Sequence, residues 1–299
     1  MPFAEEPADG FEAFVAGAKR AARSAGGACV RLPYWPAFRR TGASVPLPGG
    51  VERIYCYHVR KTGGTALAHA FLTLGQEDAD RVERRMRYPP FRTSSGPYRY
   101  VYQARPLLRR GHYFFGYGHR PAEHLRLPDR TFTVTILRDP VERAVSLYRY
   151  LADPRADDGQ TFRALADERD WARSGFGSFL DRVSRPQLLN QLYMFSVSGS
   201  VPEAAERILG CDRVLSTEAL DRGVGELAAF LGLPLALRRV RQSRFGYSPT
   251  DSETARLREL LEPEYQLLAL LARLAAAHSG AGQPSRPGSP GSPASGKAV

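Results

Sequence analysis

IYCYHVRKTGGTALAHAFLTLG, residues 54–75, decides the fold class. Ile54 to Val59 is rich in aromatic and β-branched side chains, which predicts a strand. TALAHAFLTLG then predicts a helix that stops near Gly75. Between them lies a turn that carries Gly63 and Gly64. A strand feeding a helix through a glycine turn is the opening half of a β-α unit.

The pattern recurs downstream. TFTVTIL (131–137) reads as a strand, followed by PVERAVSLYRYL (140–151) as a helix. Arg213–Ser216 reads as a third strand leading into ELAAFLGL (226–233), and one long closing helix is expected from Thr254 to Ala277. Alternation of this kind predicts an α/β fold with a central, mostly parallel β-sheet flanked by helices. RVERRMRYPPFRTSSGPYRYVYQARPLLRR (81–110) is polar, aromatic and aperiodic, and is expected to be an inserted loop region within a domain spanning 51–278. Residues 1–50 are expected to wrap this domain as helix plus loop. Residues 279–299, a Gly/Ser/Pro tail, are expected to be disordered.

Composition sets limits on function. With 43% hydrophobic, 10% aromatic and 24% charged residues, the chain reads as an ordinary globular protein. It contains no apolar run long enough for a transmembrane helix. The acidic start lacks the basic-then-apolar order of a secretory signal, so a cytoplasmic protein without a membrane partner is expected. Cys29, Cys56 and Cys211 are odd in number and widely spaced, which fits neither a disulfide framework nor a zinc site. The net charge of +11 favours a polyanionic ligand without naming one. Lysine is nearly avoided: Lys19, Lys61 and Lys297 are the three in the chain.

One of those three stands in the first turn, HVRKTGGTAL (58–67). Gly63 and Gly64 permit a tight turn. The helix that follows presents free N–H groups and the positive end of its dipole to an anion. Thr62 and Thr65 add hydroxyls, and Lys61 a compact charge. A Walker A loop places its lysine after the second glycine, whereas Lys61 precedes both, so ATP hydrolysis is not indicated. A solvated glycine-rich turn is the plainer reading of the same residues.

The second turn carries a strong helix start. Asp139 suits the N-cap, Pro140 the first helical position, and Glu142 a capping box. Arg138 therefore leaves a strand just ahead of a helix N-terminus, and Ser146 lies about 9 Å along that helix at 1.5 Å per residue. A guanidinium fork and a hydroxyl could hold one phosphate from two sides. Arg143 shares a face with Ser146, but reads better as part of a structural network with Asp139 and Glu142.

Taken together, the two stretches resemble the PAPS-dependent carbohydrate sulfotransferases, the group that includes heparan sulfate 2-O- and 6-O-sulfotransferases and bacterial relatives. His58 to Thr65 is similar to that family's H-x-P-K-T-G-G-T loop. Leu137, Arg138, Asp139, Pro140, Arg143 and Ser146 are similar to its L-R-D-P-x-x-R-x-x-S element. The resemblance implies a P-loop-like sulfotransferase fold and 3'-phosphoadenosine-5'-phosphosulfate (PAPS) as sulfuryl donor, with no metal. It implies that Lys61 meets the bridging oxygen and sulfate, and that Thr62, Gly63, Gly64 and Thr65 hold the 5'-phosphate. Arg138 and Ser146 would hold the 3'-phosphate. Arg60 stands where the family has proline, and adds a phosphate contact on this reading. LLNQLYMF (188–195) is similar to the family's Asn-Gln helix but lacks its following arginine, and the basic stretch 238–246 lacks the family's late Asn-x-Ser/Thr.

Transfer to an alcohol calls for a general base. Gly118–His119, in GYGHRPAEHL, matches the Gly-His pair that supplies it in the resembling enzymes, and His112 is the second candidate. His58 and His69 read as structural. The expected partner is a small-molecule or carbohydrate hydroxyl acceptor, not a nucleic acid. The arginines at 81, 84, 85 and 87 with Tyr88, Tyr98, Tyr100 and Tyr102 are candidates to line its cleft. Two competing functions make different demands. A P-loop-type kinase needs Mg²⁺ and ATP and leaves Arg138 and Ser146 idle. A non-catalytic polyanion-binding protein is indifferent to a 3'-phosphate and strongly salt-dependent.

Overall fold

In this computed structural model, which describes residues 45–87, 91–154, 166–238 and 245–280, six strands form one sheet. They are β1 (Arg53–Tyr57), β2 (Arg92–Ser95), β3 (Tyr98–Tyr102), β4 (Phe115–Gly118), β5 (Thr131–Leu137) and β6 (Arg213–Ser216). Their order across the sheet is β2-β3-β4-β1-β5-β6. All neighbours are parallel except the β2–β3 hairpin. The expected α/β class with a mostly parallel sheet is therefore what the chain adopts.

The helices are α1 (Gly64–Leu72), α2 (Ala79–Met86), α3 (Arg105–Arg110), α4 (Pro140–Ala152), α5 (Ala166–Arg173) and α6 (Phe176–Arg182). They continue with α7 (Arg185–Leu188), α8 (Asn190–Phe195), α9 (Val201–Leu209), α10 (Leu220–Leu231), α11 (Asp251–Leu260) and α12 (Glu262–Gly280). Strand alternation sorts them between the two faces. Ile54 and Cys56 of β1 and Phe132, Val134 and Ile136 of β5 bury themselves with Leu67 and Phe71 of α1 and Leu227 of α10. Leu137 at the end of β5 joins α4, α6, α8, α9 and α12 in the other large core.

This sorting positions the site. β1 and β5 are adjacent, with Tyr57 opposite Thr135, yet α1 leaves toward one face and α4 toward the other. The two turns part company at the carboxyl edge of the sheet, and such a topological switch point opens a ligand crevice.

Two expectations need correction. The 81–110 region is not a loop: α2 covers the sheet, and β2 and β3 extend it, with β3 parallel to β4 through Tyr100–Phe115 and Val101–Gly116. Tyr100 and Val101 are fully buried. One strand, RTSS, has no large apolar residue and the other, YRYVY, carries an arginine among its tyrosines, which masked the strand pattern. The closing helix is also two helices, α11 and α12, broken at Leu261. Pro263 lacks an N–H and is tolerated only in a first helical turn, so the helix restarts there. The N-terminal segment through residue 44, residues 239–244 of the basic stretch, Tyr88 and the tail from residue 281 lie outside the described residues.

Candidate functional site

The turn after β1 is held from within. Thr62 is fully buried, and its hydroxyl donates to Val59 O at 3.0 Å. Its proton is thus used inside the loop, whereas the sequence suggested it for a ligand. Thr65 is half-buried at the second position of α1, and its hydroxyl has no protein partner among the described residues. Lys61 adopts φ 67°, left-handed backbone that costs an L residue roughly 1–2 kcal/mol. Strain of this kind concentrates at functional turns.

The two glycines answer to different demands. Gly63 supplies φ 92° at the N-cap of α1. Gly64 makes room for a neighbour, since a Cβ there would sit 2.1 Å from His58 Cδ2. Beyond the tight turn expected of it, Gly64 thus gives the His58 ring room to pack against the helix start. The amides of Gly63, the N-cap, and of Gly64 and Thr65 have no intrahelical acceptor, which makes them donors available at the start of α1.

The turn after β5 comes to meet it. Arg138 Nη1 donates to Lys61 O at 3.2 Å. Asp139 caps α4 by accepting from the Glu142 amide at 2.9 Å, as expected. The Glu142 carboxylate does not close a capping box but pairs with Arg138 at 3.3 Å. On the same helical stripe, four residues apart at each step, stand Glu142, Ser146 and Tyr150. Lys61 Nζ lies over the Tyr150 ring, 4.5 Å from its centroid. Ser146, half-buried, therefore lies between the helix turn that touches Arg138 and the one that carries the Lys61 ammonium. Lys61, Arg138 and Ser146 are brought together.

Arg143 goes elsewhere. It is fully buried, pairs with the equally buried Glu264 at 3.4 Å, and donates to the carbonyls of Gln187 and Leu188. The structural reading of Arg143 holds, with partners other than Asp139 and Glu142.

Several residues that knit the two turns escaped the sequence reading. The Thr217 hydroxyl lies 2.7 Å from Thr62 O and 3.2 Å from Leu137 O. It thus shares one proton between the two loops. Asn190 Oδ1 accepts the Arg60 amide at 2.9 Å. Gln191 accepts the Arg138 N–H at 2.8 Å and donates to the Arg138 carbonyl at 3.0 Å. Tyr150 was read only as part of a helix. The one sequence clue was the Asn-Gln pair within 188–195, whose partners are too distant in the chain to guess.

Of the two candidate bases, His119 follows β4 and so stands at the carboxyl edge, while His112 precedes β4 and stands exposed at the opposite edge. His119 Nδ1 lies 2.6 Å from His58 O. A carbonyl oxygen only accepts, so Nδ1 carries the proton and Nε2 presents a lone pair. The residue keeps a partly exposed edge, yet the surrounding protein strips water from the ring. That burial pushes its pKa well below the ordinary histidine value of 6.5. The nearby His58, Arg60 and Arg87 act in the same direction, against the bond to the His58 carbonyl. His58 and His119 rings are 4.4 Å apart.

Around His119, Tyr102 stands edge-on with ring centroids 6.5 Å apart. Gln103 Nε2 donates to the Tyr102 hydroxyl at 2.8 Å, and Arg120 donates to Gln103 O at 3.1 Å. Of the other residues of 81–110 suggested for an acceptor cleft, Tyr100, Arg85 and Arg87 are otherwise engaged. Tyr100 donates to Phe71 O at 2.9 Å. Arg85 pairs with Glu77 at 2.8 Å and Arg87 with Glu83 at 2.9 Å. His69, Asp80 and Glu83 form the grouping of ligand-type side chains seen among the described residues. There His69 Nε2 bonds Glu83 at 3.0 Å and ties α1 to α2. Among the described residues, no helix is long and apolar enough to cross a membrane.

No protein-family model matches the chain, and no curated protein does. Three solved structures are similar in outline. The crystal structure of a sulfotransferase from Alicyclobacillus acidocaldarius shares 17% identity over 74% of this chain and 95% of that one, with a TM-score of 0.36. A mouse sulfotransferase complexed with PAP shares 16% identity over 69% of this chain and 63% of that one, with a TM-score of 0.29. Retinol dehydratase in complex with androsterone and inactive cofactor PAP shares 13% identity over 70% and 64%, also at 0.29. The chain spans less than two thirds of the latter two.

Proposed function

We propose that this chain is a sulfotransferase that moves a sulfuryl group from PAPS to a hydroxyl of a carbohydrate or small-molecule acceptor. The observation that carries the reading is the meeting of two anion cradles behind adjacent strands, with Arg138 bonded to Lys61 O. A nucleotide bearing phosphates at both ends of its ribose is the ligand that uses both. The residues present fit it: donor amides at Gly63, Gly64 and Thr65, the Thr65 hydroxyl, and a lysine and an arginine within one crevice.

When bound, PAPS supplies an activated sulfuryl group whose departure leaves 3'-phosphoadenosine 5'-phosphate (PAP). The first turn of α1, with Arg60, holds the 5'-phosphate, and Arg138 with Ser146 holds the 3'-phosphate. Lys61, which rests over the Tyr150 ring, would be the charge that stabilises the departing group. His119 Nε2 takes the acceptor proton as the new S–O bond forms. Its depressed pKa keeps that lone pair available at neutral pH. Catalysis is then positioning and charge stabilisation.

Tyr102 and Gln103 stand on the acceptor side of His119 in this reading, which replaces the broader role given to residues 81–110. A cytoplasmic setting and independence from metal are part of the proposal. The test is a pair of transfer assays, one with radiolabelled PAPS and one with radiolabelled ATP, against a panel of sugar and phenolic acceptors, with and without a chelator. Labelled product that survives chelation supports the reading. Labelled phosphoryl transfer from ATP without any sulfuryl transfer would replace it with a kinase.

A further inference from the structure

The two cradles do not touch only through Arg138; a third element sets their spacing. Asn190 and Gln191 are the first two residues of α8, and each side chain takes hold of the backbone of a different loop. Asn190 Oδ1 accepts the Arg60 amide at 2.9 Å. The Gln191 carboxamide pairs with both backbone groups of Arg138, at 2.8 and 3.0 Å. That geometry fixes the peptide planes on either side of Arg138, and with them the direction its side chain can take. Gln191 is fully buried, so no water competes for these bonds.

The start of α8 is itself anchored. Glu264 accepts the Gln191 amide at 2.6 Å and the Leu192 amide at 3.3 Å through Oε1, and Gln191 Nε2 at 3.1 Å through Oε2. A carboxylate in this fully buried place needs a counter-charge, and Arg143 provides it at 3.4 Å. Glu264 also fixes the amide orientation of Gln191: the nitrogen faces Glu264 and the Arg138 carbonyl, so the oxygen must face the Arg138 N–H.

We infer that Asn190 and Gln191 are positioning residues that gauge the distance between the two phosphate subsites, with Gln191 acting through Arg138 to give selectivity for a 3'-phosphate. This rests on the proposed use of the crevice by a doubly phosphorylated nucleotide. A merely structural pair would affect all nucleotides alike.

The experiment measures calorimetric binding of PAP and of adenosine 5'-monophosphate (AMP), which lacks the 3'-phosphate. The proteins are wild type, Gln191→Met, Arg138→Ala and the double variant. Methionine keeps the volume of glutamine and removes its hydrogen bonds. Loss of two such bonds behind a ligand-binding residue should weaken PAP by about tenfold and leave AMP nearly unchanged. In the Arg138→Ala background, Gln191→Met should add little. Equal weakening of PAP and AMP, or additive effects of the two substitutions, would overturn the inference. Should Gln191→Met fail to fold, Glu264→Gln replaces it: selective loss of PAP supports the anchor, and unchanged PAP affinity overturns it. A wild-type protein that binds PAP no better than AMP would remove the cofactor reading itself, and the gauge with it. Failure of the gauge alone leaves wild-type preference for PAP intact.

Discussion

Arg138 donates a hydrogen bond to the backbone carbonyl of Lys61 at 3.2 Å, across two turns that leave the sheet toward opposite faces. The relationship ties the candidate 3'-phosphate element to the candidate 5'-phosphate loop. It also gives the arginine a resting partner that a phosphate can displace.

Replacing Lys61 separates binding from chemistry. Lys61→Ala should lower kcat by about 10²–10³-fold, the usual cost of losing one transition-state charge donor. PAP affinity should change far less, because the donor amides at the start of α1 remain. Initial rates with labelled donor, set beside PAP titrations, check this. A loss confined to KM would mean that Lys61 only binds.

For His119 the sign follows from its environment. Burial lowers its folded-state pKa well below 6.5, so the imidazole stays deprotonated through neutrality. The acid limb of kcat/KM should therefore lie below pH 6.5, and His119→Ala should remove about 10²–10⁴-fold of the rate. Arg60→Ala takes away a nearby positive charge and should move that limb upward. The same shift affects folding: below about pH 6.5 the unfolded chain takes up a proton that the folded one refuses, so stability falls with pH in that range. A limb at or above the ordinary histidine value, unmoved by Arg60→Ala, would assign the base elsewhere.

Gly64 gives a purely steric test. An added Cβ would overlap the His58 ring at 2.1 Å, and overpacking of this kind costs about 1–3 kcal/mol. Gly64→Ala should lower the melting temperature, and His58→Ala in the same chain should recover part of the loss, so the double variant is more stable than the two singles sum to. Strict additivity would show that the glycine serves something other than the ring.

The buried pair of Arg143 and Glu264 should behave as a unit. Arg143→Leu strands a carboxylate at a fully buried site and should cost about 3–5 kcal/mol. Adding Glu264→Gln removes the stranded charge and should restore a large part of it. Denaturant melts of the four proteins measure this coupling.

How far the sequence spoke depended on whether a residue's partners were local. β5 and the cap at Asp139 were legible because strand pattern, cap and proline lie within a dozen residues. The glycine turn after β1 was legible for the same reason, although the cause for Gly64 was not: its neighbour is a ring that folds back from His58. β2 and β3 were hidden because arginines and serines interrupt their apolar positions, and a hairpin at the edge of a sheet needs only one well-covered face. The break at Leu261 was written in Pro263 and passed over in an otherwise continuous apolar pattern. Thr217, Asn190 and Gln191 act through backbone groups far away in the chain, and backbone partners leave no trace in side-chain spacing. Glu264 in turn is anchored by Arg143, across the fold.

If one nucleotide bridges both cradles, the protein must tell a 3'-phosphate from a second phosphate on the 5' side. Isothermal titration of the wild-type protein with PAP and with ADP tests this most directly, because both ligands carry two phosphates and only PAP places one on the 3' side. PAP should bind at least about tenfold tighter, the worth of one charge-assisted contact to Arg138. Equal affinity, or tighter binding of ADP, would contradict it.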